Sequence, residues 1–477
     1  MDKHIVDFLS DSAARYADSD AFWFRKDRKT SFRVTYAQFA ADAFSLASRL
    51  RAEGLQGARI ALLEPNSYAR LVGFFGIMAA GACAVLPDPT ATAADHLRLM
   101  RQVKCSVCLP CTEATQERAA AWEGEGIRIL PAPALFTDEP YVAAPSFALS
   151  PDAEAAILFT SGTTGEQKAV VHTQRSVAGF HFADLFKAEK TSVLLSLPLQ
   201  HMIALETVMT CLRTGQTLAV NQQTKYLLLD ILMFQPHLLV AVPAIHKTLM
   251  KSVFAHADIQ EGLRKTLGGN IHTVISGGGH MDQQTADQLS QAGLTRLSAY
   301  GSTESGNIAF GPLTSDPRDV GPRNPNMEVR IADGEITARG MCIAQGYDHG
   351  DDPQFTDGWY HTGDLGFLGE DGHLYLTGRK KNLIILSNGK NISPERLEGI
   401  LGGMDGVEEV QVFGHNDRIC AEIFTPGDEA AQEAIRASIH ALNKTLPTWE
   451  QIHGVFFRSE PFEKTSIGKI KRTAGKR

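Results

Sequence analysis

The stretch Phe159-Thr160-Ser161-Gly162-Thr163-Thr164-Gly165-Glu166-Gln167-Lys168 constrains this chain more than any other. It follows an apolar run, Ala155-Ala156-Ile157-Leu158-Phe159, that reads as a buried strand. Glycines let a backbone curl until several N–H groups point at one spot, and such a nest binds anions. Here Gly162 and Gly165 supply the freedom, Thr160, Ser161, Thr163 and Thr164 add hydroxyl donors, and Lys168 adds a movable positive charge. The segment reads as a phosphate cradle, although it does not match the spacing G-x-x-x-x-G-K-[ST]. A flexible surface loop is the plain alternative, since linkers use the same residues.

A chain of 477 residues is too long for one core and implies two or three domains. A net charge of −8 argues against a nucleic-acid partner. Asp2, Asp7 and Asp11 interrupt the place where a secretory signal would be apolar. The run Leu71 to Leu86 is short for a membrane span and contains Gly73, Gly76 and Gly81. It reads as a buried helix running into a buried strand. Of seven cysteines, Cys105, Cys108 and Cys111 are evenly spaced. A fourth ligand and the flanking pattern of an iron–sulfur run are missing. A strand over Lys104–Leu109 would put Cys105 and Cys108 on opposite faces. The expectation is a reduced, cytoplasmic protein with no integral membrane segment.

Residues 1–58 read as largely helical, with a turn near Lys26–Lys29 and a helix from Tyr36 to Glu53. Strands at Arg59–Leu63, Cys83–Leu86, Leu194–Leu197, Thr217–Val220, Leu238–Val242 and Thr273–Ile275 alternate with helical stretches. Such alternation implies α/β architecture with helix-covered, mainly parallel sheets. Between about 325 and 378 the sequence turns β-rich. After Arg379 about a hundred residues remain, enough for a small α+β domain. The expected division is 1–378 and 379–477.

Further segments carry chemistry. Gly277-Gly278-Gly279 closes a strand and lets a flat ring lie on the backbone; a tight turn is the alternative. Tyr300-Gly301-Ser302-Thr303-Glu304 offers an aromatic face, a tight turn, hydroxyls and a carboxylate suited to Mg²⁺. Asp364, in Trp359-Tyr360-His361-Thr362-Gly363-Asp364, reads as a carboxylate in a glycine turn, able to grip ribose hydroxyls. Gly378-Arg379-Lys380-Lys381-Asn382 is a cationic patch, and Lys469 sits beside Gly468 near the C-terminus.

In this order the segments resemble the adenylate-forming superfamily: acyl- and aryl-CoA synthetases, luciferases and peptide-synthetase adenylation domains. The resemblance covers about residues 25–475. Phe159–Lys168 is similar to the family's phosphate loop, Tyr300–Glu304 to its adenine and Mg²⁺ motif, and Trp359–Gly366 to its ribose motif. Arg379 matches the arginine that opens the small domain, Lys469 the catalytic lysine, and Leu446-Pro447-Thr448-Trp449 the motif before it. Gln167 and Ala169 stand where proline and glycine are usual.

The resemblance implies ATP-dependent activation of a carboxylic acid, then transfer of the acyl group to a phosphopantetheine thiol on CoA or an acyl carrier protein. It implies that Thr160 and Glu304 hold Mg²⁺, that Gly277–Gly279 and Tyr300 sandwich adenine, and that Asp364 and Arg379 hold ribose. It implies further that Lys469 bridges the reacting groups and that the small domain turns about Lys381. His201, in Leu197-Pro198-Leu199-Gln200-His201-Met202, either gates the acyl pocket, lies near the acyl carboxylate, or is a packed histidine. No aspartate lies between Leu194 and Leu212 to pair a substrate ammonium, which favours fatty or aryl acids over amino acids. A non-catalytic nucleotide-binding protein on the same fold is the reading from another class.

Overall fold

The computed structural model describes the chain except residues 1–3, 123, 134, 138–146, 161–166, 183–190, 280, 317, 465–469 and 473–477. Among the described residues two large α/β sheets dominate. The first has eight strands, in the spatial order Gly306–Pro312, Thr295–Ser302, Thr273–Gly277, Leu238–Ala241, Ser192–Leu195, Thr217–Val220, Asp20–Arg25 and Ser31–Thr35. Its interior pairings are parallel and its two edge pairings antiparallel. The second has seven, in the order Gly346–Tyr347, Lys168–Thr173, Glu154–Thr160, Cys83–Leu86, Arg59–Ala61, Val107–Cys108 and Arg128–Ile129. Strands covered on both faces read as continuous apolar runs. Cys83–Leu86, Ser192–Leu195 and Leu238–Ala241 are buried at every residue.

One core spans both sheets, joining Phe22, Val193 and Val240 of the first to Ile60, Ala84 and Leu158 of the second. The helix Tyr68–Ala79 is buried along its whole length. Its Gly76 admits the Leu46 side chain of the helix Tyr36–Ala52, where a Cβ would meet Leu46 Cδ2 at 2.7 Å. A third, antiparallel sheet of Asp319–Pro322, His373–Arg379, Trp359–Leu368, Glu335–Gly340 and Met327–Ala332, with Phe355–Thr356 at its side, sets Ile336, Ala338 and Leu374 into the same core. Beyond Arg379 a separate core forms around Leu397, Val412, Ile423, Ile435 and Ile439. It belongs to the strands Glu409–His415, Arg418–Phe424 and Ile452–Arg458 and the helices Pro394–Gly402 and Glu429–Asn443.

Three expectations are corrected. The first 58 residues include the hairpin Asp20–Arg25 and Ser31–Thr35, because the aromatic run Phe22-Trp23-Phe24 suits a strand. Asp364 lies within the strand Trp359–Leu368, beside Gly363 at φ +72°, and Gly301 likewise lies in a strand. Lys104 adopts φ +51°, so strand geometry starts only at Val107, and Cys105 and Cys108 share one core cluster.

Loops of parallel sheets gather at the carboxyl ends of the strands, where crevices form. Here those ends meet across Asn66, which is buried. Its Nδ2 donates to Leu197 O at 2.8 Å and Asn221 O at 3.1 Å, and its Oδ1 accepts from Leu199 N at 2.8 Å. Asn66 follows a strand of the second sheet; its partners follow strands of the first. Replacing Asn66 with Ala should cost about 2–4 kcal/mol, three bonds at roughly 1 kcal/mol each plus an orphaned N–H. Urea unfolding checks this, and an unchanged midpoint would mean that the clasp contributes nothing.

Candidate active site

The strands Glu154–Thr160 and Lys168–Thr173 are antiparallel, with Thr160 directly opposite Lys168. Ser161, Gly162, Thr163, Thr164 and Gly165 lie outside the described residues. Lys168 Nζ is 3.0 Å from Asp352 Oδ2 and 4.2 Å from the centre of the Tyr347 ring. Burial works against the charge on Asp352, but the Gln354 N–H and Lys168 outweigh it and keep its carboxyl below the usual range. Tyr347 pairs with Val170 across the sheet, and its hydroxyl lies 2.8 Å from Glu304 Oε1 and 2.8 Å from Gln354 Oε1. Glu304 is buried.

The hairpin Thr295–Ser302 and Gly306–Pro312 carries Tyr300, Gly301 and Ser302, with Thr303 and Glu304 at its turn. Gly301 is obligatory, since a Cβ there would fall 1.9 Å from Gly306 O. The buried ring of His172 ties this turn to the neighbouring hairpin through Nε2 and Thr303 O, 2.8 Å apart. A carbonyl only accepts, so Nε2 carries the proton. Burial keeps His172 neutral, with its pKa down to about 4. On the parallel neighbour, Gly277 is closed off, because a Cβ would meet Ile203 Cδ1 at 2.6 Å. Gly278 and Gly279 are the exposed pair.

Two other stretches converge on Asp364. Tyr300 Oη donates to its Oδ2 at 2.9 Å, and Arg379 Nε donates to its Oδ1 at 2.7 Å. Asp364 and Arg379 are directly opposed across their strands. Burial, reinforced by the Asp364 charge, pushes the Tyr300 hydroxyl well above its ordinary range. Burial disfavours the Arg379 charge, but Asp364 overcomes it and the net shift is upward. Lys380 Nζ pairs with Glu335 Oε2 at 3.0 Å, and Glu335 Oε1 accepts from Gly363 N at 2.9 Å. Lys381 is exposed in the turn Lys380–Asn382.

His201 precedes the helix Met202–Thr214, and its Nε2 is buried without a hydrogen-bond partner among the described residues. Burial lowers its pKa to about 4; the Asp88 charge opposes this and Arg70 reinforces it. One turn on, Glu206 Oε1 accepts from Asn307 N at 2.6 Å. Burial raises its pKa to about 8. All seven cysteines are free and buried. Among the described residues no group of three or more His, Cys, Asp or Glu could hold a metal ion, and no helix is long and apolar enough to cross a membrane.

The model of the AMP-binding enzyme family matches residues 9–348, and that of the AMP-binding enzyme C-terminal domain matches residues 381–476. The chain belongs to the AMP-binding enzyme family. This is the adenylate-forming superfamily that its motifs resemble, and the chain has the expected fold class. It is 27% identical over 468 residues to a long-chain-fatty-acid–CoA ligase, FadD15, of Mycobacterium bovis, covering 83% of this chain and 78% of that one. It is 29% identical over 340 residues to a 2-succinylbenzoate–CoA ligase of Listeria innocua, covering 67% and 68%. Among solved structures, an anthranilate CoA ligase, AuaEII, with anthranoyl-AMP superposes with a TM-score of 0.83 at 18% identity, covering 98% and 96%. ATP-bound MatB of Rhodopseudomonas palustris gives 0.80 at 23%, covering 98% and 97%.

In this AMP-binding enzyme Lys469 lies outside the described residues, but both flanks are anchored on the C-terminal core. Lys464 bridges to Ile470 and pairs with Glu409, while Arg472 pairs with Glu395 and Glu398. Sequence reasoning missed Tyr347, Asp352 and His172. Each is identified only by a partner more than forty positions away.

Glu206 gives this enzyme a testable pH signature. Its pKa is about 8 in the fold against an ordinary 4.5, so the folded state binds the proton more tightly. That contribution to stability is fully present below pH 4.5 and is lost as pH rises through 8. Glu206→Gln, neutral throughout, should hold its thermal midpoint better across this range. A pH-independent difference between the two proteins would show that Glu206 is ionised in the fold.

Proposed function

We propose that this enzyme joins a carboxylic acid to the thiol of coenzyme A through an acyl-adenylate, releasing pyrophosphate and then AMP. The observation that carries the reading is the Tyr300–Asp364–Arg379 clasp, built beside a cluster in which Lys168, Tyr347 and Glu304 meet. The first arrangement suits a nucleoside and the second its phosphates. The choice of CoA as acceptor is supported by relatives named CoA ligases.

Asp364 and Arg379 hold the ribose, and Tyr300 with the exposed Gly278 and Gly279 flanks the adenine. Gly277, Gly301, Ser302 and Thr303 form the wall behind. Thr160, the residues through Gly165, and Lys168 hold the departing pyrophosphate. Glu304 and Thr160 fit a magnesium ion. Both offer hard oxygen donors, and few protein ligands suffice where phosphate oxygens complete the shell. Such an ion neutralises charge on the phosphate oxygens. Lys469 supplies positive charge at the α-phosphate, where it is needed most as the carboxylate attacks.

The same reading divides the chain into a core of 1–378 and a mobile unit of 379–477 turning about Lys381. That turn withdraws Lys469 and brings the segment Ser387–Ile392 to the adenylate, so one site serves two reactions. The apolar helix after His201 and the neutral Glu206 suit a fatty or aryl acid without an ammonium group. His201, neutral and with a buried Nε2 that has no partner among the described residues, gates the acyl pocket or serves the acyl carboxylate. Seven buried thiols suit a reducing compartment.

The test is exchange of labelled pyrophosphate into ATP and hydroxamate trapping across fatty, aryl and amino acids. Thioester formation with CoA follows. Lys469→Ala should lower adenylation about 100- to 1000-fold, the scale of losing one transition-state charge donor, while calorimetry shows ATP binding retained. Unchanged adenylation in that variant would remove Lys469 from the mechanism. Absence of exchange with every acid would remove the function.

A further inference from the structure

Tyr347 is the described residue that touches both charged ends of the proposed phosphate site, and no motif points to it. Its ring carries Lys168 Nζ at 4.2 Å from the centroid. Its hydroxyl reaches Glu304 Oε1 at 2.8 Å. The ring has little room to move: His349 stacks on it at 5.3 Å, Phe355 meets it edge-on at 5.5 Å, and only 5% of the residue is exposed. Its strand is hydrogen-bonded to the strand that begins at Lys168. A side chain locked on several sides is what holds a functional carboxylate within a few tenths of an ångström.

We propose that Tyr347 is a positioning residue that sets the distance and orientation between Glu304 and Lys168. Its hydroxyl aims the carboxylate at the metal bound with ATP, and its ring seats the lysine facing the same phosphates. Asp352 completes the arrangement, as it holds Lys168 at 3.0 Å. Gln354, its amide pinned on His361 O at 3.2 Å, offers its Oε1 at 2.8 Å as a second acceptor for the single phenol proton, so the hydroxyl stays between two acceptors and its position beside Glu304 is kept. This inference rests on the proposed function only in taking Glu304 as the metal carboxylate and Lys168 as a phosphate ligand.

The two halves separate by substitution. Tyr347→Phe keeps the ring under Lys168 and removes the donor to Glu304. Outer-shell partners of metal ligands change metal affinity about 10- to 100-fold. Calorimetric titration of ATP at a series of Mg²⁺ concentrations should therefore show half-saturating Mg²⁺ raised by about that factor, with ATP affinity recovered at saturating Mg²⁺. In turnover, the KM for Mg²⁺ rises and kcat at saturating Mg²⁺ is nearly kept. A merely structural tyrosine would alter ATP binding equally at every Mg²⁺ concentration. Tyr347→Leu removes the ring as well and should weaken ATP a further 2- to 5-fold or so at saturating Mg²⁺, the worth of an exposed cation–π contact.

Glu304→Gln serves as the control for the underlying reading. If it shifts the Mg²⁺ dependence and Tyr347→Phe does not, the role given to Tyr347 is wrong and the metal assignment stands. If neither shifts it, Glu304 is not the metal carboxylate and both fall. If Tyr347→Leu matches Tyr347→Phe at saturating Mg²⁺, the lysine half of the proposal is overturned.

Discussion

Asp364 is the carboxylate on which the rest of the site is hung. It stands in the third sheet, Tyr300 in the first, and Arg379 at the point where the C-terminal core begins. Strand pairing already sets Arg379 opposite Asp364, and the carboxylate adds Tyr300 of the first sheet, with each of its oxygens accepting from a different partner. A charge-assisted bond to Arg379 at 2.7 Å is worth more than a neutral one, although with Arg379 31% and Asp364 17% exposed the pair is only partly desolvated. The clasp thus places the opening of the C-terminal region relative to the first sheet.

Two further ties are made by groups that are buried and neutral. His172 holds the Thr303 carbonyl, and Glu206 holds the Asn307 N–H. Burial lowers the pKa of one and raises that of the other, so neither carries charge near pH 7. On the proposed reading this matters, because phosphates bind nearby. A charged histidine or carboxylate at these positions would add a field that competes with Lys168 and Glu304, and its effect would be strengthened by the low dielectric of the interior. Neutral hydrogen bonds position the hairpin 295–312 without adding a charge.

The legible part of this architecture was the part written locally. Apolar runs such as Cys83–Leu86 and Leu238–Ala241 announce buried parallel strands, because strands covered on both faces have no polar side. The glycine and hydroxyl motifs announce their own turns. The first hairpin escaped because Asp20–Arg25 is a short aromatic run whose strand character comes from joining the sheet beside Thr217–Val220. Asp364 read as a turn residue because Gly363 precedes it, yet the antiparallel partner Arg379 keeps it in a strand. Tyr347, Asp352 and His172 carry no local signature, since each acts through a partner that only tertiary structure supplies. Gly277 was read as an open platform, but its missing side chain is needed by Ile203.

The pairing of Lys168 shows how a charge can be held in place without being locked there. Lys168 is 40% exposed and Asp352 12%, so their pair is only partly desolvated. Ion pairs with that much solvent access are worth on the order of 1 kcal/mol or less, whereas a buried pair costs several to break. Asp352 therefore keeps the ammonium in place at little cost to its release. On the proposed reading, a triphosphate draws Lys168 away by offering more negative charge than one carboxylate. The strand pairing that holds Tyr347 beside Lys168 survives the exchange, because its bonds are backbone to backbone. What moves is one flexible side chain over a fixed ring. The frame that fixes its range is built from the two hairpins and the carboxylate between them.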